Sequence, residues 1–189
     1  MFVHESFMHL FFNMFALFMF GLMIERSMGS KRFLFYYLSC GIGAALIQEG
    51  IFAIMISHYQ SQLPSDLANL IMPYINSGQI PVIPQYSYTI NEIAGLVNVP
   101  VIGASGAIFG VLLAFGFLYP RRPLYLMFIP VPVQARWFIL GYGILELLQG
   151  IGNRSGDNVA HFAHLGGMLV GIIMLLIWKR KGLVHGDGF

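Results

Sequence analysis

Five apolar stretches, at 6–24, 33–57, 102–119, 136–151 and 159–178, run through this 189-residue chain. About 20 apolar residues in helical form cross the hydrocarbon core of a bilayer, where every backbone polar group must find its partner within the protein. The sequence therefore predicts an all-α, polytopic membrane bundle with about five transmembrane helices. The fourth stretch is short, and Pro130 and Pro132 argue against extending it back through 124–133 as continuous helix. Only 10% of residues are charged and 57% are hydrophobic, whereas a soluble domain carries roughly a quarter charged residues. A soluble fold of this composition would expose more apolar surface than folded monomers tolerate, so lipid must be much of its solvent. The chain reads as one membrane domain over 1–189, with the lipid bilayer as a partner and no nucleic-acid partner expected. Its single cysteine, Cys40, excludes an intrachain disulfide.

Between the second and third stretches lies a segment, 58–100, with five prolines and no Lys or Arg. It is too polar to span and too apolar for a free linker, and it reads as an ordered or interfacial extracytoplasmic loop with one short helix around 65–75. The cations fix an orientation. Arg26, Lys31 and Arg32 follow span one, Arg121, Arg122 and Arg136 follow span three, and Lys179, Arg180 and Lys181 follow span five. Nine of the ten Lys and Arg residues thus fall on alternate connections, with Arg154 the exception. Cytoplasmic loops collect such cations, which predicts a multi-pass protein of the cell or inner membrane with a cytoplasmic C-terminus and Met1 outside.

Polar groups within spans are costly and call for a partner or a function. Span three opens with Gly103-Ala104-Ser105-Gly106 and continues to Phe109 and Gly110. Ser105 reads either as a small packing residue bonded to its own helix or as a nucleophile about one turn inside the outer end. Span five carries His164, Gly167 and Gly171 at i, i+3 and i+7, hence on one helical face. Gly167 and Gly171, like Gly106 and Gly110, form a small-xxx-small pair that permits close helix contact. If those faces meet, His164 is carried to Ser105, and a serine needs an adjacent base to be nucleophilic. In span one, His9 and Asn13 share a face at i, i+4. They suit the donors that a developing oxyanion needs, or else a hydrogen-bonded bridge between helices.

The ordered set resembles the rhomboid intramembrane serine proteases. That family carries His-x4-His-x3-Asn on one helix, Gly-x-Ser-Gly on another and Ala-His-x2-Gly-x3-Gly on a third. This chain has His4, His9 and Asn13, then Gly103, Ser105 and Gly106, then Ala163, His164, Gly167 and Gly171. The resemblance implies a Ser105–His164 dyad with no acidic third member. It also implies an oxyanion site of His9, Asn13 and the Ser105 N–H, no cofactor, no metal, and transmembrane segments of other proteins as substrates. At Phe109 some family members place a tyrosine against the catalytic histidine; phenylalanine keeps the stacking surface and loses a supporting hydrogen bond. His161 fails the glycine pattern that His164 satisfies and reads as a supporting or interfacial residue. Glu25 and Arg26 read as interface anchors, and Glu146 as hydrogen-bonded or snorkelling toward water. The family normally has one further helix and a long loop before the first motif, and no signal peptide here carries Met1 outside. The chain accordingly reads as an N-terminally truncated six-span protein.

Two other readings compete. A rhomboid-like protein without catalysis would bind transmembrane clients and leave them uncut; such relatives typically lack the serine or the histidine. A metal hydrolase would use Asp157, His161 and His164, which lie at i, i+4 and i+7 and can present three ligands on one helix face.

Overall fold

Ser6 opens the first helix, its side chain accepting a hydrogen bond from the His9 backbone N–H at 3.2 Å. This satisfies one of the donors that a helix start leaves unpaired. The structure, a computed structural model, describes residues 4, 6–98, 104–126, 129–152 and 161–187. Helix α1 (Phe7–Met28) ends at Gly29, whose φ of 82° is a conformation that side chains with a Cβ rarely adopt. Helix α2 (Ser30–Gln60) begins at the next residue, so one glycine makes the whole turn between the first two spans. Then follow α3 (Ser65–Asn76), a single 3₁₀ turn, α4 (Ser87–Asn98) and α5 (Ser105–Leu118). Strands β1 (Pro123–Leu126) and β2 (Ile129–Gln134) precede α6 (Ala135–Gly152) and α7 (His161–Arg180).

The chain is an all-α polytopic bundle, and α1, α2 and α7 are each long and apolar enough to cross a membrane. Their outward faces suit lipid: Phe7, Phe11, Phe15 and Phe18 line one side of α1, all exposed. The third and fourth apolar stretches form α5 and α6, at 14 and 18 residues. α5 rises only about 21 Å, short of the roughly 30 Å of a hydrocarbon core. It is also the most enclosed helix: Val111 and Ala114 are inaccessible, and α1, α6 and α7 all pack against it. Phe20 of α1 meets Phe115 of α5 edge-on at 5.0 Å, and Ile139 of α6 joins Ile108 and Leu112 in one apolar cluster.

The proline-rich stretch 124–133 is not helical. It forms an antiparallel pair in which Pro123 faces Gln134 and Leu124 faces Val133, with an irregularity before the Leu126–Ile129 pairing. Pro130 and Pro132 have no N–H to donate, which a two-stranded edge tolerates and a helix interior does not. At the same end of the bundle, Arg122 pairs with Asp187 at 3.2 Å and Arg32 donates to the Leu183 carbonyl oxygen at 3.4 Å. Three cation-bearing segments, after α1, after α5 and after α7, are therefore gathered together.

By its internal contacts the chain divides into two compact units, one of residues 1–47 with 102–189 and one of Gln48–Val101. The second contains α3, matching the helix that the sequence predicts around 65–75, and also α4, which the sequence reading does not predict. Leu63, Ile71, Ile75, Ile90 and Ile93 form its own small core, and Asn98 donates to the Ala94 and Ile75 carbonyl oxygens at 2.9 and 3.4 Å.

Candidate active site

The site depends on how closely α5 and α7 approach. A Cβ added to Gly167 would collide with the carbonyl oxygen of Gly106, and one added to Gly106 would stand 3.2 Å from the Ala163 carbonyl oxygen and 2.5 Å from the Ala44 Cβ. One turn along, a Cβ on Gly110 would meet Cys40 Sγ at 2.6 Å and the Gly167 carbonyl oxygen at 3.2 Å, while Gly171 faces the Tyr36 hydroxyl. That hydroxyl donates to the Gly110 carbonyl oxygen at 2.8 Å, tying α2 to α5 inside the apolar core. The two small-residue faces read from the sequence do meet, backbone against backbone.

This contact brings His164 to Ser105. Ser105 Oγ lies 2.9 Å from His164 Nε2, hydrogen-bonding distance for a hydroxyl and an imidazole. Phe109, one turn after the serine, lies flat on the His164 ring with centroids 4.0 Å apart and planes 6° from parallel. Ser105 is the first residue of α5 rather than a turn inside it, and no side chain among the described residues caps that end. The first intrahelical bond of α5 runs from the Ile108 N–H to the Ala104 carbonyl oxygen at 3.0 Å. The N–H groups of Ser105, Gly106 and Ala107 thus have no partner within the helix, and they carry its partial positive charge. Such an end accommodates negative charge.

On α1, Asn13 is buried, and its Nδ2 has no hydrogen-bond partner among the described residues. A buried amide left in this state costs about 1–3 kcal/mol, so it calls for an explanation. It lies one turn before Ala16 and Leu17, which pack on the cluster that includes Ala104 and Ile108 of α5. His9 is half-buried and meets the His4 ring edge-on at 5.2 Å. Of the other residues singled out from the sequence, Gly103 and Asp157 lie outside the described residues.

Glu146 is the residue whose place the sequence reading missed. The resemblance implies no acidic partner for the histidine, yet Glu146 Oε2 lies 2.9 Å from His164 Nδ1 and 2.7 Å from His161 Nδ1. All three side chains are buried, so Glu146 does not snorkel to water. The physical reason is a second close helix contact. A Cβ on Gly150 would stand 3.3 Å from the His161 Cβ and 3.1 Å from Phe162 Cζ, and one on Gly143 would stand 3.1 Å from Met168 Cε. Gly143, Glu146 and Gly150 follow the same i, i+3, i+7 spacing as His164, Gly167 and Gly171. That repeated pattern on the preceding helix was the available signal.

Glu146, His161 and His164 each offer one donor atom, all within 4.8 Å of one another, which raises the question of a metal. Donors around a tetrahedral zinc at about 2.0–2.1 Å stand roughly 3.3 Å from each other. The two Glu–His separations, 2.7 and 2.9 Å, are instead the lengths of shared protons.

Residues 1–181 match the family model for the Rhomboid domain. Over 181 residues, 95% of this chain, it is 32% identical to RHOMBOID-like protein 12, mitochondrial, from Arabidopsis thaliana, covering 44% of that protein. Over 173 residues, 91% of this chain, it is 28% identical to Rhomboid protein 1, mitochondrial, from Saccharomyces cerevisiae, covering 38% of it. The chain thus spans less than half the length of either relative. No solved structure matches it significantly.

Proposed function

Because the chain belongs to the rhomboid family, we propose that it is an intramembrane serine endopeptidase that cuts transmembrane segments of other membrane proteins. The observation that carries this reading is the 2.9 Å separation of Ser105 Oγ and His164 Nε2. Membership of the family makes it an integral membrane protein with an intramembrane-protease type of fold; the reaction is our inference from the residues. His164 Nε2 takes the Ser105 proton as Oγ bonds to the substrate carbonyl carbon, and the carbonyl oxygen becomes the oxyanion. Asn13 Nδ2, His9 and the Ser105 N–H are its donors. Collapse breaks the C–N bond, and the proton on Nε2 passes to the leaving amine. Water then repeats the sequence on the acyl-serine. The proposed reaction draws on no cofactor.

The cation-bearing connections support an orientation in which the C-terminus is cytoplasmic and the Ser105 end of α5 faces the other side. The deciding experiment incubates the protein in proteoliposomes with a fluorophosphonate and, separately, with a transmembrane substrate. Labelling and cleavage by wild type, both lost in Ser105→Ala, are expected. Client binding without cleavage or labelling would instead establish the non-catalytic reading.

A further inference from the structure

A general base must present a lone pair to the serine, so His164 has to carry its single proton on Nδ1 and keep Nε2 bare. Nothing about an isolated imidazole ensures this; the partner of Nδ1 does. The stacked Phe109 ring fixes the plane of His164 and offers no acceptor. The acceptor is Glu146 Oε2, 2.9 Å from Nδ1. Its only chemistry is acceptance when ionised, which demands a proton on each ring nitrogen facing it. His161 Nδ1, 2.7 Å away, meets the same oxygen and holds the carboxylate from a second direction.

We propose that Glu146 is the positioning residue of this site, acting through His164. In this arrangement it selects the His164 tautomer that leaves Nε2 free for Ser105, and it faces the imidazolium formed when His164 takes the serine proton. The inference rests on the reading of Ser105 and His164 as nucleophile and base, and it turns a dyad into a Ser105–His164–Glu146 triad spread over α5, α7 and α6. The placement suits the chemistry in a second way. Glu146 is only 3% exposed, and a buried carboxylate persists only if its charge is compensated by donors, which the two imidazoles supply. When His164 becomes positive, the cluster passes from one net negative charge to none, so burial favours the charged intermediate. Loss of the orienting carboxylate in a serine triad lowers turnover by up to about 10⁴-fold while leaving the geometry intact.

The test compares wild type, Ser105→Ala, Glu146→Gln and Glu146→Asp in the same liposomes, reading both the rate and the final extent of fluorophosphonate labelling. Extent counts folded sites, and rate reports the nucleophile's activation. For Glu146→Gln we expect wild-type extent, a rate lower by about 10²-fold or more, and kcat reduced with KM little changed. Glu146→Asp, which keeps the charge on a shorter stem, should recover part of the rate. A Glu146→Gln rate equal to wild type overturns the proposal, whatever the extent. If the glutamine variant does not fold, a Glu146→Ala variant that labels at the wild-type rate overturns it instead. Stoichiometric zinc in the purified wild type, lost in Glu146→Gln, also overturns it, because the cluster would then be a metal centre. Failure of the underlying reading looks different: wild type itself would label no faster than Ser105→Ala.

Discussion

The carbonyl oxygen of Gly106 occupies the space where a Cβ on Gly167 would stand, so the main chains of α5 and α7 touch directly beside Ser105 and His164. Gly167→Ala must therefore push the helices apart, since a backbone oxygen cannot turn aside as a side chain can. Overpacking of this kind costs about 1–3 kcal/mol or more. We expect a lower melting temperature together with a large loss of cleavage. Gly141→Ala, where an added Cβ meets nothing within 4 Å, is the matched control and should leave both unchanged or slightly improved. Equal behaviour of the two variants would show that the close approach is unimportant.

Ser105→Ala deletes one oxygen next to glycine and should abolish cleavage, by roughly 10⁴-fold or more, at nearly unchanged thermal stability. His164→Ala should match it. His161→Ala should keep substantial activity, because Glu146 retains its bond to His164. If the two histidine variants exchange phenotypes, the base has been misassigned.

Asn13→Ala should reduce turnover about 10²–10³-fold with little change in KM, the mark of a donor used chiefly in the transition state. Its resting amide has no partner among the described residues, so the same change should not lower the melting temperature. A destabilised variant with normal turnover would make Asn13 a packing residue.

Phe109 contributes a stacked face to His164, and aromatic pairs of this kind are worth about 0.5–1.5 kcal/mol. Phe109→Leu should accordingly slow labelling by roughly 3- to 10-fold. Phe109→Tyr, which preserves the ring, should remain near wild type; steady-state labelling rates for both decide the matter.

Cys40 is inaccessible within the bundle and should resist a water-soluble maleimide in the folded protein. Cysteines introduced at Gln79 and at Lys181 can then be read without background. In right-side-out vesicles the first should label and the second should stay protected; the reverse pattern would invert the proposed orientation.

Much of this architecture was legible because membrane spans are written in long, nearly uncharged runs, and α1, α2 and α7 follow them closely. The Ser105–His164 meeting was legible too, since glycine at i, i+3 and i+7 marks a face meant for another backbone. What escaped has definite causes. α4 was hidden because Ser87–Asn98 is short and mixed in polarity, and its few apolar positions serve a local core with α3. Glu146 was hidden because a lone carboxylate near a helix end is usually solvated, and only the flanking Gly143 and Gly150 distinguish it.

Ser105 opens α5, whereas His164 lies three residues within α7 and Glu146 six residues before the end of α6. At 1.5 Å per residue its partners lie about 5–9 Å inside the described parts of their own helices. On the proposed reaction each peptide bond hydrolysed consumes one water molecule, and that molecule has to reach side chains as buried as His164 and Glu146. Hydration, more than the reactivity of the hydroxyl, then becomes the quantity a membrane can ration. In bilayers of longer acyl chains the journey lengthens, deacylation should fall behind acylation, and the first turnover should appear as a burst whose size grows with bilayer thickness.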